Sequence, residues 1–445
     1  MNVGLISLGC SKNRVDSEII LYRLKKAGYK LVSQPEKADL IIINTCAFIE
    51  EARQEAIDRI IETGLLKSRG SLKYLVVAGC MAQRYGSYLM EEMPELDGVL
   101  GISHCDEIDK IIEAIQSGQR VTACAEPERQ SQAWTGRILT TPPGMAYLRI
   151  ADGCDNRCSY CAIPGIRGAL RSRPLQDLLE EARHLVTQQQ VRELVVIAQD
   201  TAAYGTDIYG RKSLPDLLDG LQKIEELQWI RLMYLHPAHM DDAILDAIAS
   251  NKSVLPYLDI PVQHASDRTL RAMNRKHDST QLKGLLAELR RRIEGLVLRT
   301  TVMTGFPGES EDDFQRLYDF IAESAFDWLG AFRYNPEEDT AASLMPDQVP
   351  PEISQERLDL IMKLQNRITR SKNIARIGSQ EPVLITEKVS NHLYIGRGYY
   401  QAPEVDGITM IKSTRALPKG QLMRVELKAV RNYDMIGEVA DEHPQ

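Results

Sequence analysis

Three cysteines fall within eight residues in Gly153-Cys154-Asp155-Asn156-Arg157-Cys158-Ser159-Tyr160-Cys161, at Cys-x3-Cys-x2-Cys spacing. Four cysteines would close a cubane iron-sulfur cluster for electron transfer or structure, whereas three thiolates leave one iron open to bind and reduce a small molecule. The plain alternatives are a zinc site or three unrelated core thiols. Zinc takes four ligands, usually from paired Cys-x2-Cys units, and the sequence holds no second pair of that kind.

A second trio is spread along the first part of the chain. Cys10, Cys46 and Cys80 are separated by 36 and 34 residues, and each follows a short apolar run: Leu5-Ile6-Ser7-Leu8-Gly9, Ile41-Ile42-Ile43-Asn44-Thr45 and Val76-Val77-Ala78-Gly79. Runs over 3–8, 40–44 and 74–78 suit buried parallel strands, with helical periodicity such as Val15-Ile19-Ile20-Leu24 after them. The carboxyl ends of parallel strands share one rim, where ligands bind. Three thiols distant in sequence therefore meet at one edge and are expected to hold a second open cluster. Coincidental core cysteines would lie within strands or on helix faces, not in rim loops. Cys105 and Cys124 lack such partners and read as structural or free thiols.

The stiff Thr140-Thr141-Pro142-Pro143-Gly144 connector marks the next boundary. Six more β/α units follow, with strands expected over 146–150, 193–198, 229–235, 257–261, 299–304 and 328–334, and helices such as 175–185 and 216–227 between them. That alternation predicts a parallel sheet curled by right-handed crossovers, its chemistry in loops at the strands' carboxyl ends. The triplet follows the first strand, as an active-site loop should. Other rim loops bring Gln199-Asp200-Thr201, His236-Pro237, Gln263-His264 and Gly305-Phe306-Pro307-Gly308-Glu309. Plain roles suit several of these: Pro307-Gly308 as a turn, Ser310-x-x-Asp313 as a helix cap, and His236 and His264 as hydrogen-bonded structural histidines. Arg171 and Arg173 are either a solvated helix entry or bidentate carboxylate binders close to the cysteine loop.

The stretch 352–376 predicts one amphipathic helix burying Ile353, Leu360, Ile361, Leu364 and Ile368. Its Lys363, Arg367, Arg370, Lys372 and Arg376 form either a solvated face or the border of a substrate groove. From Gly378 onward, short alternating runs broken by glycines predict a small closed β-barrel. Residues 378–445 carry eight Lys or Arg against nine Asp or Glu, a poor electrostatic clamp for RNA. The whole chain, 445 residues with a net charge of -8, gives the same answer and no direct nucleic-acid substrate is expected. No apolar run approaches a membrane span, residues 1–9 read as a strand and not a signal peptide, and eight cysteines in a chain this long make no disulfide scaffold while the grouped thiols suit a reducing compartment, so a cytoplasmic address is expected.

With these residues in place the chain resembles the methylthiotransferases of the radical S-adenosylmethionine (SAM) superfamily over essentially its whole length. The resemblance is carried by Ser7-Leu8-Gly9-Cys10-Ser11-Lys12-Asn13, Asn44-Thr45-Cys46, Gly79-Cys80, the Cys154 loop, Pro261-Val262-Gln263-His264 and Gly305-Phe306-Pro307-Gly308-Glu309. It implies an α/β multidomain fold: a flavodoxin-like α/β domain over 1–135 with the second cluster, a partial (β/α)6 radical SAM barrel over 140–375, and an OB-like all-β TRAM barrel over 378–445. It further implies two [4Fe-4S] clusters, one on Cys154, Cys158 and Cys161 that binds SAM and yields a 5′-deoxyadenosyl radical, the other on Cys10, Cys46 and Cys80 that presents sulfur for methylation by a second SAM. Tyr160 is expected against the adenine, with Arg171, Gln199 and Asp200 as further SAM-binding candidates.

The motifs look most similar to the RimO-type branch, which methylthiolates the β-carbon of an aspartate in ribosomal protein uS12. Pro142-Pro143-Gly144-Met145-Ala146-Tyr147, Ala151-Asp152-Gly153 and Gln199-Asp200-Thr201 carry that likeness, while Met273-Asn274-Arg275-Lys276-His277 departs from the family's usual run. The implied partners are uS12 or the small ribosomal subunit, a flavodoxin- or ferredoxin-type reductant and a sulfur donor. The MiaB-type branch, which modifies a tRNA adenosine, is the alternative and is expected to carry a more basic tail; a nonenzymatic iron-sulfur carrier is the remote one.

Overall fold

The computed structural model describes residues 1–125, 134 and 136–440; the domain boundary expected at residue 135 lies outside the described residues. Six parallel strands form the first sheet in the order Lys30–Leu31, Asn2–Ser7, Leu40–Thr45, Tyr74–Gly79, Gly98–Leu100, Val121–Ala123. This is the flavodoxin-like order, whose direction of winding switches between the first and third strands in sequence. Leu40–Thr45 is buried along its whole length because helices cover both faces of the sheet, so its pattern is a continuous apolar run and not an alternation.

A second six-stranded sheet runs in sequence order through Met145–Arg149, Glu193–Ile197, Trp229–Leu232, Val254–Asp259, Val297–Thr304 and Trp328–Arg333. All neighbours are parallel and the first and last strands are not paired, so the barrel is open on one side. Ala146, Leu148, Leu194, Val196 and Leu232 face the outer helices in one apolar cluster. Their alternates Met145, Tyr147, Val195, Ile197 and Tyr257 share a second cluster with Val383, Tyr394 and Tyr400 from the tail. The tail is a closed barrel of Gln380–Lys388, Leu393–Gly398, Thr409–Lys412, Leu422–Arg431 and Asp434–Val439.

The tail plugs the amino-terminal end of the open barrel. There the buried Glu193 carboxylate accepts from Arg231 Nε (2.7 Å) and Arg397 Nη2 (2.6 Å), and Trp328 Nε1 donates to Tyr400 O (2.6 Å). The opposite rim, where the strands end, is left for chemistry. The open side is covered by the Ser11–Lys26 helix of the first sheet's layer: Asp16 pairs with Arg149, and Glu18 with Arg137 (3.1 Å).

The long helix Pro351–Ala375 forms as expected, but its buried face does not. Ile361 and Leu364 are buried, whereas Ile353 and Leu360 are 39% and 41% exposed. Polar residues take their place: Gln365 Nε2 donates to Phe326 O (2.8 Å) and Thr369 Oγ1 to Asp327 O (2.8 Å), meeting backbone carbonyls that a purely apolar stripe would leave unpaired.

Candidate functional site

The first trio is assembled at the switch point of the first sheet. Cys10 is the N-cap of the Ser11–Lys26 helix and Cys80 is the first residue of the Cys80–Glu92 helix, so both sit where the helix dipole favours a thiolate. Gly9, at φ 89°, allows close approach: a β-carbon there would lie 2.7 Å from Cys46 Cβ and 3.3 Å from Cys46 Sγ. The Asn13 carboxamide oxygen lies 3.8 Å from Cys10 Sγ and 3.5 Å from Cys80 Sγ, while its nitrogen donates to Thr45 O (2.8 Å) beside Cys46. The three sequence-distant cysteines therefore converge, as the strand pattern anticipated. Burial pushes the Cys80 thiol up to about 12 and raises Cys46 as well, with the nearby Arg167 acting against both shifts.

The second trio lies in the loop after Met145–Arg149. Asn156 Nδ2 contacts Cys154 Sγ (3.4 Å) and donates to Asp200 Oδ2 (2.8 Å). Ser159 N donates to Met273 O (3.1 Å) and Ala342 N to Ser159 O (2.8 Å), so the loop is held from both sides of the barrel rim. Burial raises Cys154 and Cys161 to about 11 and 12. Arg275 Nη1 faces Cys158 Sγ at 3.8 Å while Nη2 donates to Pro261 O (2.5 Å), which places a buried cation beside a thiol.

The two trios supply thiolate donors, the soft ligand type of iron-sulfur clusters. Among the described residues, Asp200, His236 and His239 bring three further ligand atoms within 4.8 Å of one another. The rim around the second trio also has buried polar atoms without hydrogen-bond partners, namely Gln199 Oε1, Gln263 Oε1 and both ring nitrogens of His277. Orphaned groups of this kind fit a polar ligand such as SAM.

The remaining sequence candidates divide. Asp200 is central: it accepts from His239 Nδ1 (2.6 Å), His236 N (3.4 Å) and Ala202 N (3.2 Å) as well as Asn156. Gln199 Nε2 donates to Asp152 Oδ1 (2.9 Å). Tyr160 packs against Met273, Met303, Phe306, Tyr334 and Ala342, an apolar wall beside the loop. Arg171 donates to Arg167 O (2.7 Å) and Ala169 O (3.4 Å), and Arg173 pairs with Glu181 (2.5 Å), so both spend donors on local structure. His264 is fully buried, its Nδ1 accepting from Ser266 N (3.0 Å), and His236 Nδ1 accepts from Ala238 N (3.3 Å), as structural histidines do. The Ser310 and Asp313 capping box is present, and Glu309 turns back onto the amides of Gly305 and Phe306. Cys105 is buried, and Cys124 Sγ donates to Ala82 O (3.2 Å).

The residue that sequence reasoning missed is Arg167. Its Nη1 forks onto Asp152 (2.9 and 3.1 Å), and its Nη2 reaches Asn13 Oδ1 (2.9 Å), Asp16 Oδ2 (3.0 Å) and Cys80 Sγ (3.4 Å). One guanidinium, 1% exposed, thus joins the first trio to the strand pair that carries the second. The Ile163-Pro164-Gly165-Ile166-Arg167 turn gives no periodic signal that would have marked it.

Comparisons agree with this layout. Family models match residues 2–101 (uncharacterized protein family UPF0004), 148–321 (radical SAM superfamily) and 377–440 (TRAM domain). The chain is 54% identical to the ribosomal protein uS12 methylthiotransferase RimO of Syntrophomonas wolfei, over 98% of this chain and 100% of that one. It is 45% identical to the protein of the same description from Pelotomaculum thermopropionicum, over 98% and 99%. Among solved structures, the radical SAM methyltransferase TsrM from Kitasatospora setae shares the fold at a TM-score of 0.55 and 14% identity, over 74% of this chain and 72% of that one.

Proposed function

The chain belongs to the radical SAM methylthiotransferases of the uS12-modifying RimO family, and from that premise we propose the division of labour among its residues. The enzyme inserts sulfur and a methyl group at the β-carbon of an aspartate in uS12. The observation that carries the two-centre reading is the position of Arg167 between Cys80 Sγ and Asp152, which sets two separate cysteine trios facing one interface. The segments 1–135, 140–375 and 378–445 are taken as the three working units.

Cys154, Cys158 and Cys161 would hold one [4Fe-4S] cluster and Cys10, Cys46 and Cys80 the other. Bound there with SAM, these groups supply a carbon radical strong enough to take hydrogen from an unactivated C–H bond, and a methylated sulfur to replace it. Asp200, anchored by His239 and Asn156, offers a carboxylate for the ammonium of SAM, and the Gln199 Oε1 left unpaired offers a further acceptor. Tyr160 and its apolar wall give the adenine a dry face. Arg171 stands beside Asp152 as an outer contact whose donors are already shared with backbone. Arg275 and Arg167 place positive charge beside one thiol of each trio, Cys158 and Cys80, offsetting the anionic clusters.

A flavodoxin- or ferredoxin-type protein supplies electrons and a separate donor the sulfur, both in the cytoplasm; no helix among the described residues is long and apolar enough to cross a membrane. The test is anaerobic reaction of the reconstituted enzyme with SAM, reductant and sulfide, offering small ribosomal subunits and unmodified tRNA in separate tubes. One methylthio group on a uS12 aspartate by mass spectrometry is expected. The same group on tRNA adenosine would overturn the reading.

A further inference from the structure

Seven cationic side chains are buried among the described residues: Lys12, Arg137, Arg167, Arg231, Arg275, Arg357 and Arg397. Each arginine is hydrogen-bonded to a carboxylate or a backbone carbonyl. Lys12 is the exception. It is 7% exposed, its Nζ stands 3.2 Å above the centre of the Tyr234 ring, and no carboxylate or carbonyl among the described residues bonds it. Its stem is buried while its head, held over a ring face, carries no carboxylate among the described residues and can take an anion. The neighbouring Ser11 Oγ is also buried and without a partner.

We propose that Lys12 binds the carboxylate of the acidic substrate side chain, an assignment that rests on the reading of this chain as a protein-aspartate methylthiotransferase. Position supports it as well as charge. Lys12 lies two residues past Cys10, in the first turn of the helix whose amino end already favours an anion, and it reaches across to the rim loop that follows Trp229–Leu232. In an aspartate the carboxylate is bonded directly to the β-carbon. Gripping one fixes the other, and a grip beside Cys10 brings that carbon to the trio read here as the sulfur-bearing one.

The experiment uses full-length reconstituted enzyme and isolated uS12, with wild type, Lys12→Gln and Lys12→Arg compared. Lys12→Gln is expected to raise KM and Kd for uS12 roughly tenfold or more, as loss of a charged hydrogen bond does, with iron per chain and SAM affinity unchanged. Lys12→Arg should recover part of the loss. Replacing the target aspartate of uS12 by asparagine should weaken binding to wild type but add little to the Lys12→Gln penalty, the non-additivity of two groups that touch. Unchanged KM and Kd in Lys12→Gln would overturn the assignment, as would a defect confined to iron content or to SAM affinity. A wild-type enzyme that leaves uS12 unmodified would instead remove the functional reading, and this assignment with it.

Discussion

Arg167 Nη2 lies 3.4 Å from Cys80 Sγ while Nη1 of the same side chain holds Asp152 at 2.9 and 3.1 Å. A single buried cation therefore fixes the distance between the rim of one sheet and the entrance loop of another. Burial alone would raise the Asp152 carboxyl, but Arg167 and Arg149 hold it well below the usual carboxylate range, so the link is ionic at any working pH. On the proposed two-centre reading both centres act on one substrate atom and need such a strut, because a small shift between them would misplace the substrate for one of the two steps.

Replacing Arg167 by Gln should lower stability by about 3–5 kcal/mol, the range for a buried pair that loses one partner, because Asp16 and Asp152 lose their shared cation. Arg167→Lys keeps the charge but not the fork and should fall between the two. Denaturant midpoints measure the first effect. The same midpoints place the lysine variant, and an unaltered unfolding curve for Arg167→Gln would refute the strut.

Alanine in place of Cys10, Cys46 or Cys80 should remove the iron of one cluster and spare the other, and alanine in place of Cys154, Cys158 or Cys161 should do the converse. All six should lose turnover. Cys105→Ala, whose thiol packs with Ile108 and Ile112, should keep full iron and activity at a stability loss of about 1 kcal/mol. Iron per chain and Mössbauer spectra decide, and loss of both clusters from a single substitution in the first trio would argue against two independent sites.

Much of this layout was legible because it is written in local patterns. Apolar runs that each end just before a cysteine marked three strands of the first sheet, and Ser310-x-x-Asp313 marked a cap that the structure contains. Gly98–Leu100 and Val121–Ala123 were not legible, since three residues are too few to show a period. The expected 216–227 helix instead spans Leu214–Leu221, beginning two residues earlier with Pro215 in its first turn and giving way before Glu226, whose φ of 70° no helix holds. The choice between Arg167 and Arg171 was out of reach for a different reason. Both follow the cysteine loop, and which guanidinium meets Cys80 depends on how two sheets pack, which no window of sequence encodes.

Glu193 tests how the tail is held. Its carboxylate is fully buried between Arg231 and Arg397, so Glu193→Ala strands two cations and should cost about 3–5 kcal/mol. The Lys428–Glu426 pair within the tail, 44% and 35% exposed at its side chains, is the control: Glu426→Ala should change stability by less than about 1 kcal/mol. Limited proteolysis should release the tail barrel from the first variant only. Equal resistance in both would mean that the apolar contacts of Tyr394 and Tyr400 hold the tail without the ions.

Asp406 should make the same junction sensitive to pH. Burial raises its carboxyl to about 6 although Arg299 (3.4 Å) and the Tyr257 hydroxyl (2.6 Å) act against the shift. The unfolded chain would release that proton near pH 4, so the folded state binds it more tightly across the interval. The stability this group contributes is complete below about pH 4 and is lost as pH rises through about 6, a change on the order of 2–3 kcal/mol. Carboxylates held low, such as Glu193 and Asp313, act in the opposite sense, so the parent's own profile mixes both. The difference between parent and Asp406→Asn isolates the effect: the variant should gain relative stability steadily from pH 4 to 7 in thermal unfolding. Parallel profiles for the two proteins would show that Asp406 is already ionised in the folded junction, with Arg299 as its full counter-ion.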